Sequence, residues 1–95
     1  MLHILMNSPF QVNFNSILKF LNSMDDFVAL QDGVLISIRN NTFFKGINLS
    51  NINLYLLRED VIARGILNKV SDKFHIINYS ELIILTEKHK LCMNW

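Results

Sequence analysis

The chain has 95 residues and a mass of 11.1 kDa, which is enough for one small domain, residues 1–95, and too little for two. Hydrophobic residues make up 51% of the sequence and charged residues 18%, with a mean hydropathy of +0.26, so intrinsic disorder is excluded. The formal net charge of +1 is too small for a surface that neutralises many phosphates, and we expect no direct binding of nucleic acid.

Four short apolar runs predict the strands of a sheet. The runs are continuous rather than alternating, which is typical of parallel strands that are covered on both faces. The gaps between them are too long for hairpins and fit crossover connections that contain a helix. The four runs lie at residues 2–6, 27–30, 52–57 and 74–77.

The first gap carries the clearest helix pattern of the chain. Its apolar residues recur at the spacing that places them on one helical face. The members of this stripe are Phe14, Ile17, Leu18 and Leu21. Asn13 or Asn15 is expected to cap the helix at its N-terminus.

The second gap is ambiguous from its pattern alone. Residues 34–38 alternate as a strand would, and Asp32-Gly33 is typical of a tight hairpin turn. A helix fits this gap equally well, so the sequence predicts either a hairpin or a helix here.

Two further helices are predicted from their termini. Glu59 and Asp60 suit a helix N-terminus, and Gly65 supplies the left-handed residue that commonly follows a helix. Ser80 is expected to cap a helix over residues 81–89, whose C-terminal end carries positive charge.

These elements predict an α/β fold: a single domain with an open, mostly parallel sheet and helices on both faces. Sites in such sheets form at the carboxyl ends of the strands. In this chain those ends are expected at residues 7–9, 31–33 and 58–60.

The single cysteine, Cys92, excludes an internal disulfide, and the sequence has no cysteine pair or histidine and cysteine cluster of the kind that binds zinc. The chain lacks an apolar run long enough for a membrane span, and its first residues lack the basic start of a signal peptide. We therefore expect a cytoplasmic protein with no membrane, metal or cofactor.

Four segments carry a resemblance to a known family. They are MLH at residue 1 with SPF at 8–10, LQDGV at 30–34, YLLREDVIARG at 55–65 and INYSELIILTEKHKLCMNW at 77–95. In this order and at this spacing they resemble the TusB family of DsrH-like proteins, subunits of the TusBCD sulfur-relay complex. The likeness covers the whole chain.

The resemblance implies a DsrE/F/H-type fold, a helix after QDG, and a heterohexamer with TusC-like and TusD-like subunits. It also implies a relay in which persulfide sulfur passes from TusA to TusE for 2-thiolation of the wobble uridine of tRNA. In this family the mobile sulfur is carried by a cysteine of the TusD subunit, and alignment on Arg64-Gly65 places that cysteine near Leu57 here. The resemblance therefore implies a non-catalytic subunit.

The other interpretation from the sequence is a stand-alone thiol or persulfide carrier that uses Cys92. Lysine and histidine at 88–90 would favour its thiolate form. The alternative for Cys92 is a small apolar residue in a C-terminal tail that packs on a neighbour.

The remaining candidate residues are expected to contact partner subunits. Asp32, Glu59 and Asp60 are either partner contacts or local turn and helix-end residues, and an acid/base pair is the less favoured reading. Arg64 is predicted to form an inter-subunit salt bridge or a structural hydrogen bond. Trp95 is predicted to contact another chain rather than to remain a solvated tail, because tryptophan is enriched in interfaces.

The histidines and one pair of phenylalanines also have two possible roles. The three histidines, His3, His75 and His89, lie on different elements, so they are expected to be core, rim or helix-end residues rather than metal ligands. Phe43 and Phe44 form either an exposed patch or part of the core.

Overall fold

Five parallel strands form one sheet in the computed structural model, which describes residues 1–44 and 51–95. The strand order across the sheet is β4-β3-β2-β1-β5. Four of the strands coincide with the apolar runs to within one residue at each end, so the predicted strands are confirmed. The strands are β1 Leu2–Leu5, β2 Asp26–Ala29, β3 Asn53–Leu57, β4 Phe74–Ile77 and β5 Cys92–Asn94.

In the described ranges, three α-helices and two 3₁₀-helices connect the strands. The helices are α1 Phe14–Phe20, α2 Arg58–Ala63 and α3 Tyr79–Lys88, with 3₁₀-helices at Gln31–Ser37 and Leu67–Lys69. Asn13 caps α1 as predicted, because its side chain accepts a hydrogen bond from the Ser16 amide. Gly65 follows α2 with φ of 65°, the left-handed conformation expected of it.

The hairpin alternative for the second gap is wrong. A 3₁₀-helix occupies residues Gln31–Ser37 instead, in agreement with the helix implied by the family resemblance. Its buried residues are Gly33, Val34, Ile36 and Ser37. These are two pairs three residues apart, which is the period of a 3₁₀-helix, and a short stretch of that period is easily mistaken for strand alternation.

The cap predicted for the last helix is also wrong. Asn78, not Ser80, caps α3: its side chain accepts from the Glu81 amide at 2.9 Å, and Glu81 Oε1 accepts from the Asn78 amide at 3.2 Å. This reciprocal capping box starts the helix two residues earlier than Ser80 would.

The C-terminal residues form a strand rather than the expected tail. Residues Cys92–Asn94 pair in parallel with the start of β1, with Cys92 opposite Leu2. The Trp95 amide extends the ladder by donating to the Ile4 carbonyl at 2.8 Å. A strand of three residues is too short to show alternation, so the sequence pattern did not reveal it.

The helices lie on both faces of the sheet, as predicted. One face packs against α1, α2 and the longer 3₁₀-helix. The other, which we call the α3 face, packs against α3 and against no other helix in residues 1–44 and 51–95. The residues buried on the α3 face are Leu2, Val28, Ile77 and Leu85. Right-handed crossovers explain this division, because the chain crosses the sheet in one direction from β1 to β4 and returns in the other to β5.

An aromatic cluster fills the core on the three-helix face. Phe14 and Phe27 make edge contacts with Phe44, at ring-centroid distances of 5.0 and 6.2 Å. Phe43 contacts Phe14 at 5.5 Å. Of the two alternatives for Phe43 and Phe44, the core location is therefore confirmed. None of the helices in the described ranges is long and apolar enough to cross a membrane.

Candidate functional site at the carboxyl edge of the sheet

A polar cluster lies where β2 and β3 end, and we call Asp32, Asp60 and Arg64 the carboxyl-edge cluster. Asp32 lies in the first turn of the 3₁₀-helix after β2, Asp60 in the first turn of α2, and Arg64 directly after α2. Arg64 Nε and Nη2 donate to Asp32 Oδ1 at 3.0 and 2.9 Å, and Nη1 donates to the Asp60 carbonyl at 3.3 Å. The structure thus brings together three of the five predicted contact residues.

Asp60 joins the cluster to the backbone of the neighbouring loop. Its Oδ2 accepts from the Gln31 amide at 2.7 Å, and Gln31 takes up a left-handed backbone with φ of 50°. Its other oxygen lies 3.7 Å from Arg64 Nη1. One guanidinium and one amide therefore hold the two carboxylates, which do not share a proton as an acid/base pair would. We call the set of hydrogen bonds that joins Arg64, Asp32 and Asp60 the Arg64 brace.

Glu59 lies exposed beside the carboxyl-edge cluster and takes no part in its hydrogen bonds within the described chain. For Arg64 the structure shows the hydrogen-bonded structural role, and Asp32 keeps 62% of its side chain exposed. Contacts of any of these residues with a partner remain a prediction.

Leu57 occupies the strand end at which the family resemblance places the carrier cysteine. It is the last residue of β3, is opposite Ile77 in the sheet and is 2% exposed. Cys92 lies at the opposite edge of the sheet, because it is level with Leu2 at the amino ends of the strands. Three strand spacings and about four residues along the strands put the two positions about 20 Å apart.

Trp95 packs on its own chain instead of extending into solvent. Its ring contacts Phe20 at 5.7 Å, and its Nε1 donates to His3 Nδ1 at 3.3 Å. Because His3 Nδ1 accepts this bond, the ring hydrogen lies on Nε2, which donates to Asp25 Oδ2 at 2.9 Å. The indole is half-buried, and a contact of its exposed part with another chain stays a prediction.

Asp25 and Asp26, which the sequence analysis did not single out, hold two networks at the amino ends of the strands. Burial alone would raise the pKa of Asp25, but hydrogen bonds from the Asn22 amide, His3 and the N-terminal ammonium outweigh it and hold the pKa below its usual value. The only signal in the sequence was an acidic pair directly before an apolar strand.

The network of Asp26 fixes the end of α3. Its carboxylate is buried and receives hydrogen bonds from His89 at 2.6 Å, Asn53 at 3.0 Å and Lys88 at 3.1 Å. Burial would raise the pKa of Asp26, but these three donors lower it overall. His89 therefore serves the helix end as predicted, and His75 is an exposed rim residue.

A groove of about 320 Å³ runs between α3 and the sheet. Tyr55 and Ile77 line it from the sheet, and burial together with the negative charge of Asp26 raises the pKa of Tyr55. The helix side is formed by Glu81, Ile84, Leu85 and Lys88. Within residues 1–44 and 51–95, no group of three or more histidine, cysteine, aspartate or glutamate residues is arranged to hold a metal ion.

Comparison with known proteins places the sequence among close relatives. A family model described as DsrH like protein matches residues 7–91. The chain is 50% identical to Protein TusB of Buchnera aphidicola from Acyrthosiphon pisum, 40% to Protein TusB of Photorhabdus laumondii and 36% to Protein TusB of Escherichia coli. Each of these matches covers all 95 residues and all of the relative.

A solved structure supports the fold independently of sequence. The crystal structure of the YchN protein from E. coli superimposes with a TM-score of 0.78 and covers 99% of this chain and 97% of that one. Its sequence identity is 14%, so this similarity concerns the fold alone.

Proposed function

This chain belongs to the DsrH-like protein family, and we propose that it is the non-catalytic subunit of a TusBCD-type sulfur-relay complex in the cytoplasm. In this proposal residues 1–95 form one DsrH/TusB-like domain, which assembles with TusC-like and TusD-like subunits into a heterohexamer. The complex passes persulfide sulfur from TusA to TusE for 2-thiolation of the wobble uridine of tRNA.

One observation supports the non-catalytic role: Leu57, near which the family resemblance places the carrier cysteine, is buried. A persulfide carrier needs an accessible thiolate in an electropositive setting. Leu57 is 2% exposed and offers no thiol, and Cys92 lies on the edge strand at the other end of the sheet. The proposal therefore assigns the sulfur-carrying cysteine to another subunit.

The proposed contribution of this chain is a fixed surface at the carboxyl edge. The brace of Arg64 on Asp32 and Asp60 holds the loops after β2 and β3 in one arrangement. Glu59 is exposed beside this brace and is free of its hydrogen bonds, which suits it to meet a partner subunit. We include Trp95 among the proposed contacts through its exposed part.

Co-expression tests the subunit role. The tagged full chain, produced with the TusC-like and TusD-like chains of the same organism, should co-purify with both and elute as one assembly. A lone monomer of this chain in the presence of both partners would contradict the proposal. Glu59→Lys should lower the yield of the assembly, whereas Asp72→Lys, at an exposed acid before β4, should leave it unchanged.

A thiolation assay tests the non-catalytic role separately. In cells that lack this gene, the wild-type chain and the Cys92→Ser variant should restore 2-thiouridine in tRNA to the same level. Loss of thiolation with Cys92→Ser, at unchanged protein abundance, would instead support the thiol-carrier alternative.

A further inference from the structure

The α3 face of the sheet has little cover from the part of the chain that the structure describes. Among the residues that the structure describes, three helical segments cover the opposite face of the five strands and α3 covers this one. The uncovered part includes the groove of about 320 Å³ beside α3, which continues over His75 and Ile76 at the β4 edge. Sheets with crossover helices are normally covered by helices on both faces, so the groove lies where a second helix would normally pack.

The exposed side of α3 is itself apolar at its centre. Ile83 is 57% exposed and Ile84 is 65% exposed, although isoleucine is among the residues most often buried. Both lie in the middle turns of α3, and Ile84 also lines the groove. The helix and the groove beside it thus form one continuous apolar surface.

The charges along the groove have opposite signs at its two ends. Glu81 lies near the N-terminus of α3 and Lys88 at its C-terminus, two helical turns apart on the groove side. Lys88 keeps 59% of its side chain exposed although it contacts Asp26. An antiparallel copy of the same helix would place each Glu81 beside the Lys88 of the other copy, with Ile84 at the centre.

We propose that the α3 face is the contact between two copies of this chain, in which the α3 helices pack antiparallel about a two-fold axis near Ile84. Each copy supplies the second helix that the groove of the other lacks. The apolar centre provides the contact area, and the two ion pairs fix the antiparallel direction. This contact goes beyond the sulfur-relay role and is tested without sulfur transfer.

Helix geometry makes this arrangement testable by a disulfide. Packed helices have axes about 8 to 10 Å apart, and their Cα atoms lie about 2.3 Å from each axis. Residues that face each other across the axis therefore have Cα atoms about 3.4 to 5.4 Å apart, which overlaps the range of about 4.4 to 6.8 Å that a disulfide spans. A cysteine at position 84 should link to its own counterpart.

The test uses the full chain with Cys92→Ser, so that one introduced cysteine is present. Ile84→Cys is compared with Met24→Cys, at a residue that is 80% exposed in the loop between α1 and β2. After mild oxidation of a cleared lysate, the first variant should give at least about tenfold more covalent dimer than the second. Comparable yields from both variants, or no dimer with Ile84→Cys, would overturn the proposal.

A charge variant in the same assay tests the antiparallel direction. Glu81→Gln retains the capping-box geometry, because glutamine serves at that position as glutamate does. Added to Ile84→Cys, it removes both ion pairs of the dimer and should weaken association about 2- to 30-fold. Asp72→Asn, which removes one negative charge at an exposed position outside α3, is the control and should have no effect. An unchanged dimer yield with Glu81→Gln would refute the antiparallel arrangement.

Discussion

Gly33 is predicted to be the least replaceable glycine among the described residues, because it touches the backbone of β1. A Cβ atom at Gly33 would lie 2.1 Å from the Leu5 carbonyl oxygen and 2.8 Å from its carbon. That oxygen already accepts a hydrogen bond from the Leu30 amide at 2.9 Å. A Gly33→Ala variant must therefore displace either a central strand or the 3₁₀-helix that carries Asp32.

The expected cost of Gly33→Ala follows from these contacts. Overpacking costs about 1 to 3 kcal/mol, and weakening one backbone hydrogen bond adds about 1 kcal/mol. The sum of about 2 to 4 kcal/mol is a large share of the free energy of unfolding, which is about 5 to 14 kcal/mol for a domain of this length. Urea unfolding of the purified chain, followed by circular dichroism, measures it.

Gly65 provides the matched control, because only its backbone angle φ, and no close contact, disfavours a side chain at this position. A Cβ atom there would have no neighbour within 4 Å, but the φ of 65° is unfavourable for alanine. Gly65→Ala should cost about 1 to 2 kcal/mol, and Gly65→Asn less, because asparagine tolerates this conformation. Gly33→Asn should be worse than Gly33→Ala. If asparagine is the milder substitution at both positions, the close contact with Leu5 does not limit residue 33.

Three further measurements test the networks around the sheet. A double-mutant cycle of Asp32→Asn and Arg64→Gln should give a coupling energy of about 0.5 to 1 kcal/mol. Added salt should reduce this energy, because Asp32 is mostly exposed. A coupling energy near zero would argue against the brace. Asn78→Ala should cost about 1 kcal/mol by removing the α3 cap, and Ser80→Ala should cost almost nothing, so equal effects would contradict the capping box. Because the pKa of Asp26 is lowered on folding, its stabilising contribution is present above the unfolded pKa of about 4 and is lost as the pH falls below that value through the lowered folded pKa. Melting temperatures between pH 7 and pH 3 should therefore fall less for Asp26→Asn than for the wild type, from a lower value at pH 7, and parallel curves would refute this linkage.

Most elements with a local signal in the sequence were predicted correctly, although the cap of α3 was assigned to Ser80 instead of Asn78. The apolar runs located four strands to within one residue at each end, and Asn13 and Gly65 mark helix ends because capping depends on nearby residues. The 3₁₀-helix at Gln31–Ser37 was ambiguous, because its two pairs of buried residues resemble alternation over so short a stretch.

The features without a local signal were missed. The strand β5 is defined only by its pairing with β1, which lies at the other end of the chain. Asp26 and His89 bond across 63 residues, and neither residue alone indicates the other. Trp95 was expected at an interface, but its hydrogen bond to His3 arises only after β5 has joined the sheet. At the carboxyl edge, Asp32, Asp60 and Arg64 were predicted as contact residues, but the sequence did not indicate that Arg64 binds Asp32.

The uneven cover of the sheet follows from the strand order rather than from individual residues. Successive strands from β1 to β4 advance in one direction, so right-handed connections place α1, the 3₁₀-helix and α2 on one face. Only the return to β5 reverses direction, and it contributes α3 to the other face. Within residues 1–44 and 51–95, α3 is the helix that packs on that face, and this is the surface on which we propose that a second copy of the chain packs. The side chains along α3 favour an antiparallel second copy as the occupant of this face. Isoleucines lie at the centre of the helix and opposite charges lie at its two ends, so each end of one copy complements the facing end of the other.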